Sequence, residues 1–324
     1  RESMMNNDPP DHTWLRRLVN RATLNPRRIA QLESRIADHA ATLVAAVRDR
    51  GHCDFARDIA EEMPLFMISE ILGIPPADRD ALYLLTKRMF TTEATDPQAA
   101  MRDKTAAVDE MRRYAASLGA RRRSDPTDDL TSELVHAELE GRRLTEGEFQ
   151  AFFMLLFNAG TDTTRSLLCY GLDTLLARPA DLERLAREPA RLPSAIEEML
   201  RFEPPVIQIR RTATRDVELA GRRIEEGEKV VVFFPSANRD DAVFDDPDRF
   251  DIERTPNDHI AFGFGTHHCL GAPLARLEAK HIFAATFRQL QQIERDGPAV
   301  PIRTNFVRGM RHLTIRFLPA PSPR

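Results

Sequence analysis

Up to residue 203 the apolar positions recur at helical spacing. His12–Ala22 sets Trp14, Leu15, Leu18 and Val19 on one face, and Arg28–Asp49 repeats the spacing with Ile29, Leu32, Ile36, Leu43 and Val47. Ile59–Leu72 is an apolar run that stops at Gly73, with Pro75 and Pro76 just beyond, which predicts a helix closed by a left-handed residue. Ala77–Phe90 and Pro97–Arg122 read as two further helices, followed by a loop at Ser124–Thr127. Thr145 and Glu148 form a capping box that opens a long helix running to about Ala177. Ser194 and Glu197, just after Pro193, form a second box, whose helix ends near Phe202 before Pro204 and Pro205.

The pattern changes after residue 203. Val217–Ile224 and Lys229–Phe234 have the composition of strands, with a turn at Glu225–Gly227. Ala242–His259 is dense in Asp and Pro and reads as irregular but packed. Ala261–His268 is a Gly-rich loop, Leu270–Leu290 a helix, and short strands are expected around Ile302 and over His312–Phe317. The expected fold is mainly α with a minor β portion. Helices fill about 8–203 and 269–290, and strands and loops fill about 204–268 and 291–318. No repeat or linker divides the chain, so one domain over 1–324 is expected.

Composition narrows the function. The 324 residues carry 46 Lys+Arg and 50 Asp+Glu, a formal net charge of −4, which offers no general attraction for nucleic acid or anionic lipid. At 42% hydrophobic and 30% charged, the chain has an ordinary globular composition. The best apolar window, Ala151–Ala159, is half the ~18 residues a membrane span needs, so no membrane span is expected. Cys53, Cys169 and Cys269 lie far apart with no CxxC pair, which points to a reducing, cytoplasmic setting.

The richest segment is Phe262-Gly-Phe-Gly-Thr-His-His-Cys-Leu-Gly271. Its glycines allow a tight turn and close approach to a flat ligand. Cys269 stands where a helix begins, and the unpaired N–H groups of a helix N-terminus favour a thiolate. Taken alone, a free Cys is more often a small buried hydrophobe. A zinc site from His259, His267, His268 and Cys269 is disfavoured, because adjacent residues rarely converge on one tetrahedron. A dinucleotide fingerprint is excluded by His268 at the third glycine position.

The segment resembles the haem-binding signature of the cytochrome P450 family, Phe-Gly-x-Gly-x-His/Arg-x-Cys-x-Gly. Phe262, Gly263, Gly265, His267, Cys269 and Gly271 fill its fixed positions. The resemblance implies haem b (iron protoporphyrin IX), with Cys269 as the proximal thiolate and metal ligand, whose electron donation favours O–O cleavage. It also implies that His267 faces a haem propionate and Phe262 packs beside the Cys ligand.

Three more motifs follow the same family. Ala159-Gly-Thr-Asp-Thr-Thr164 interrupts an apolar helix, and alone it reads as a bent core helix with satisfied hydroxyls. It is similar to the family's oxygen-activation motif. That likeness makes Asp162 and Thr163 an acid–alcohol pair, Thr163 steadying dioxygen and a water and Asp162 relaying protons. Glu198-Met-Leu-Arg201 places a carboxylate and a guanidinium on one helical face, a pairing common on solvated helices. The resemblance makes it the family's Glu-x-x-Arg, completed by Arg249 into a buried structural triad. His12 and Arg16, four apart, suit two donors to one anion. The family binds haem propionates at these positions, and Arg211 matches a further propionate-binding arginine.

The resemblance covers about residues 4–318, and the family's usual first helices and part of a sheet are absent before His12. A P450 fold truncated at its N-terminus is therefore expected. The implied function is insertion of one oxygen atom from O2 into a C–H bond of an apolar small molecule. The runner-up readings are an inactive haem-binding fragment and a peroxide-driven enzyme, and Asp162 and Thr163 count against the latter. Pocket walls are expected from Asn158–Ala159 over the haem, Val206, Ile207 and Ile209, Leu82–Thr95, and Phe306-Val307. Sequence likeness leans towards the bacterial, actinobacterial branch acting on sterol side chains, terpenoids and lipids. No flavin or iron–sulfur motif is present, so electrons are expected from a separate ferredoxin or similar donor. It would meet exposed arginines such as Arg17, Arg21 or Arg276. A monomer is expected.

Overall fold

A computed structural model describes residues 3–22, 26–90 and 96–321, with the side chains of residues 20–28 outside the description. The chain folds into two compact units. One comprises Arg1–His39, Glu61–Asp162 and Gly265–Leu277, and the other Ala40–Ala60, Thr163–Phe264 and Glu278–Arg324.

The first unit is almost wholly helical. Its helices include Asp11–Ala22, Glu62–Leu72, Arg79–Phe90, Pro97–Ser124 and Leu130–His136, together with the long helix Glu146–Leu176 as far as Asp162. The capping box is formed: Thr145 N–H donates to the Glu148 carboxylate at 2.9 Å, and Glu148 N–H to Thr145 Oγ1 at 3.2 Å. Phe149, Phe152, Phe153 and Phe157 from this helix are buried. Gly119 makes room for Phe149, since a Cβ there would stand 2.7 Å from its ring. That close packing explains a glycine inside a helix that it weakens by about 1 kcal/mol relative to alanine.

Gly73 ends its helix as expected, at φ 67° and ψ 33°, with Ile74 N–H bonded to Ser69 C=O at 2.8 Å. Its lack of a side chain serves a second purpose. A Cβ would collide with the Asp129 carboxylate. Asp129 caps the helix Leu130–His136 through Ser132 N–H at 2.7 Å, while Arg122 bonds both Asp129 and the Gly73 carbonyl. One glycine thus lets a helix end, a helix start and an arginine share one spot.

The second unit holds most of the β structure. His52–Asp54, Thr314–Pro319 and Leu290–Arg295 form an antiparallel sheet with Thr314–Pro319 in the middle, in registers such as Cys53↔Ile315 and Ile315↔Arg295. Gln208–Thr212 pairs with Lys229–Phe233, and Val300–Ile302 with Gly309–His312. Helix Leu192–Phe202 and the later turns of Glu146–Leu176 and Ala272–Gln289 supply the core. Gly171 sits at their tightest point, where a Cβ would meet Met199 and Phe283.

Several expected elements are corrected. Arg28–Asp49 is not one helix: Leu32 N–H bonds Ile29 C=O in a tight turn, and the chain divides into Pro26–Gln31 and Glu33–Arg48. Ile59–Leu72 begins later, at Glu62, after a π-turn Ala56–Ala60. Val217–Ile224 is a hairpin, Val217–Leu219 against Arg222–Ile224, because Ala220 and Gly221 both take positive φ (51° and 73°). The second capping box is absent. Helix Leu192–Phe202 starts earlier, with Pro193 in its first turn, and Ser194 Oγ instead donates to Ile252 C=O at 2.7 Å. Leu130–His136 and Pro179–Arg187 are helices that the periodicity did not single out. No helix among the described residues is long and apolar enough to cross a membrane.

Candidate haem-thiolate site

In the first unit, Arg16 reaches from helix Asp11–Ala22 to the Cys269 loop. Its Nη1 donates to the carbonyls of Thr266 at 3.1 Å and His268 at 2.7 Å, holding the loop in place. Gly263 and Gly265 take φ of 71° and 66°, which is why glycine occurs at both positions. Cys269 lies after the short turn Gly265–His267 and shortly before helix Ala272–Gln289. It keeps an exposed face. Protein packed densely behind that face raises the thiol pKa, and the Gly271 N–H, Arg16, the Ala272 N–H and Arg276 offset that rise only in part. A built Cβ at Gly265 or Gly271 would meet nothing within 4 Å, so there is open space at both positions of the loop.

His12 is 1% exposed, and neither ring nitrogen has a hydrogen-bond partner among the described residues. Its ring lies 4.2 Å from that of His267. Burial, then His267 and Arg16, lower the His12 pKa and favour the neutral imidazole. His12, Thr13, Arg16, Arg17, Gly265 and Thr266 line an open hollow of about 200 Å³. Arg17 is engaged by Glu140 at 2.8 Å. Arg21 has its side chain outside the described residues.

Asp162 and Thr163 are half-buried on the uninterrupted helix Glu146–Leu176. Thr161 bonds back to Phe157 C=O at 3.1 Å. Gly160 brings the helix close to Ile68, 3.2 Å from a built Cβ, while Ala159 is exposed. Tyr83 OH donates to Asp162 Oδ1 at 3.4 Å. Tyr83 falls within the expected wall 82–95, but its spacing gave no sign that its hydroxyl reaches Asp162. Of the expected wall 82–95, residues 91–95 lie outside the described residues.

In the second unit, two expected wall segments meet. Val206 bridges Val307, and Ile207 N–H donates to Phe306 C=O at 2.8 Å. Ile209 and Arg211 lie on strand Gln208–Thr212 opposite Val232 and Val230. Arg211 is exposed, and among the described residues its guanidinium bonds the Arg210 carbonyl. Phe262 packs with its ring 6.2 Å from His259, which bonds Glu197 at 3.1 Å.

Glu198 and Arg201 are fully buried and joined by two 2.7 Å hydrogen bonds. The remaining Arg201 donors reach the carbonyls of Asn238, Pro247 and Arg249. The expected triad needs one correction. Arg249 contributes its carbonyl, but its side chain is 63% exposed and pairs with Asp251. The second arginine on Glu198 is Arg254, at 3.2 Å and 9% exposed. The irregular backbone after Arg249 turns the later residue inward. Two arginines five residues apart in an Asp- and Pro-rich stretch cannot be ranked without that turn.

No spacing or motif marks Glu278, since a lone acid in a helix looks solvated. It is 2% exposed, accepts a hydrogen bond from Thr164, and has one carboxyl oxygen without a partner among the described residues. Burial pushes its pKa up from 4.5 to about 8. A raised carboxyl pKa means that the native state keeps a proton that the unfolded chain releases. Stability should therefore fall as pH rises between 4.5 and 8, by up to about 4 kcal/mol for this group. Glu278→Gln should flatten that slope and be the more stable protein at pH 8. Urea midpoints across the pH range measure it, and parallel curves for the two proteins would refute it.

The sequence profile of the family Cytochrome P450 matches residues 82–312. A steroid C26-monooxygenase of Mycobacterium tuberculosis (strain CDC 1551 / Oshkosh) is 40% identical over 326 residues, covering 98% of this chain and 86% of that protein. Among solved structures, cytochrome P450 PksS of the Bacillus subtilis 168 bacillaene polyketide synthase superposes with a TM-score of 0.93 at 36% identity, over 98% of this chain and 81% of that one. CYP109E1 of Bacillus megaterium in complex with corticosterone gives a TM-score of 0.90 at 37% identity, over 97% and 85%. This chain belongs to the cytochrome P450 family, whose members are haem-thiolate monooxygenases. The residues fit haem b: the open face of Cys269 and the partnerless nitrogens of buried His12 are what a thiolate-ligated, carboxylate-bearing cofactor requires.

Proposed function

We propose that this protein inserts one oxygen atom from O2 into a C–H bond of an apolar small molecule of the sterol, terpenoid or lipid class. Electrons would come from a ferredoxin or similar donor, and the protein would work as a monomer in the cytoplasm. The observation that carries this reading is Cys269, open on one face, with backbone N–H groups behind it, and in the same unit buried His12, whose ring nitrogens have no partner among the described residues.

Haem, when bound, supplies the activation of O2. The protein's residues do the rest. Cys269 would hold the iron, with Phe262, Gly263 and Gly271 shaping its loop and Ala159 leaving clearance. His12, Arg16, His267 and Arg211 supply donors for the two propionates. Thr163 Oγ1 holds a proton and Asp162 replenishes it, which favours O2-driven over peroxide-driven turnover. Glu198 and Arg201 support the segments before the Cys loop. In the first unit Asn158 offers the substrate an amide, and in the second unit Val206, Ile207 and Ile209 offer it apolar side chains. The steroid C26-monooxygenase relative and the corticosterone complex of CYP109E1 support the steroid lean.

The test is to load the purified chain with haem, record its ferrous–CO difference spectrum, and supply a ferredoxin, its reductase and a steroid. A red-shifted thiolate-type band and a product one oxygen heavier are expected. The shorter-wavelength band of non-thiolate haem, with no product, would overturn the reading.

A further inference from the structure

Asn158 is the one amide on the helix face that carries Asp162. The two residues are four apart, so they stand about 6 Å from each other along the helix axis. Both contact helix Arg79–Phe90, Asp162 through Tyr83 and Asn158 through Thr86. Thr86 is buried, and its hydroxyl donates to Asn158 Oδ1 at 2.7 Å.

The two ends of the amide are unequally satisfied. An asparagine offers one carbonyl and two N–H donors. The carbonyl is taken by Thr86. The partner of Nδ2 is the Met89 thioether at 3.6 Å, a weak acceptor. Reversing the amide would set its oxygen against the sulfur, and would leave the Thr86 proton with only the Leu82 carbonyl at 3.5 Å. The orientation is therefore chosen by Thr86, and it leaves the NH2 group without a strong protein acceptor. Asn158 is half-buried, and Leu82, Leu85 and Met89 on the facing helix Arg79–Phe90 are buried and apolar. Among apolar neighbours an under-used donor favours an incoming oxygen acceptor, and its loss costs affinity.

We propose that Asn158 is a specificity-determining residue whose Nδ2–H donates to an oxygen of the substrate. The preferred substrate is then an apolar skeleton bearing a carbonyl group rather than a pure hydrocarbon. Anchoring that oxygen one helical turn from Asp162 fixes which carbon faces the oxidising centre. This inference rests on the proposed function and narrows its substrate class.

The test compares three ligands on the haem-loaded protein: a steroid with one ketone at C3, the same steroid with one ketone at C17, and the parent hydrocarbon. Affinity is read from the spectral binding titration and from the ligand-induced rise in Tm. At least one ketone should bind about tenfold more tightly than the hydrocarbon, the worth of one hydrogen bond. Asn158→Asp retains an acceptor for Thr86 but has no N–H, and it should bring the ratio to within about twofold. Asn158→Leu should do the same, whereas Met89→Leu should preserve the preference. Equal binding of all three ligands by the wild type, or a preference that survives Asn158→Asp, overturns the inference and leaves the proposed function standing. Failure of all three to bind overturns the inference and the steroid lean, while the thiolate-type CO band and turnover of a terpenoid or lipid decide the proposed function separately.

Discussion

Arg201→Ala should be the most destabilising single change in the second unit. Arg201 and Glu198 are both fully buried, so truncation leaves a carboxylate without its bidentate partner. Breaking a buried pair in this way costs about 3–5 kcal/mol. The carbonyls of Asn238, Pro247 and Arg249 lose their donor as well. Against a typical total stability of about 5–15 kcal/mol, the variant should be largely unfolded at 37 °C or lose order over residues 238–258. Arg254 remains near Glu198 and softens the loss without replacing the bidentate geometry. Arg201→Lys keeps the charge but not the planar five-donor fork, so it should fall in between. Arg249→Ala is the sharp control. That side chain is exposed and its carbonyl survives the change, so the loss should stay within about 0.5 kcal/mol. Chemical denaturation midpoints decide the matter, and equal losses for Arg201→Ala and Arg249→Ala would sink the assignment.

Cys269→Ser should have the largest effect on function. Serine is close in shape, so the fold should hold and far-UV circular dichroism should be unchanged. Its hydroxyl is a far weaker anionic ligand than a thiol, and the backbone N–H groups of Gly271 and Ala272 that favour a thiolate would have no anion to serve. The ferrous–CO band should move to the shorter-wavelength position, and oxygen insertion should fall to background. Cys53→Ser and Cys169→Ser should leave the band in place. Both residues are buried, and the Cys53 thiol is pushed up to about 12 by burial, then by Asp58 and Asp54, which makes it inert. A thiolate-type band that persists in Cys269→Ser and vanishes in either control would move the ligand elsewhere.

The local chemistry of this chain was readable where one residue type has one use. Thr145 and Glu148 specify a capping box because each satisfies the other's backbone N–H, and both bonds are present. Gly73 ends a helix because its left-handed conformation is strained for other residues. The glycines at 263 and 265 do adopt positive φ. Errors arose where the same residue type had two outlets. Ser194 had the spacing of a cap but found the Ile252 carbonyl instead. Ala220 and Gly221 turned a strand-like run into a hairpin without the usual Asn-Gly signal.

By itself the sequence determined the helical periodicity, the helix end at Gly73 and the capping box at Thr145, and the order of the thiol loop, the Asp–Thr pair and the Glu-x-x-Arg. These depend on neighbours within a turn or two, where spacing dictates geometry. Only the tertiary structure decided that Arg254 rather than Arg249 reaches Glu198, that Glu278 is buried with its proton, and that Thr86 orients Asn158. Those outcomes follow from which distant segment fills the space beside a polar atom. Burial then turns an ordinary side chain into a paired, neutral or under-used one, and no local pattern records it.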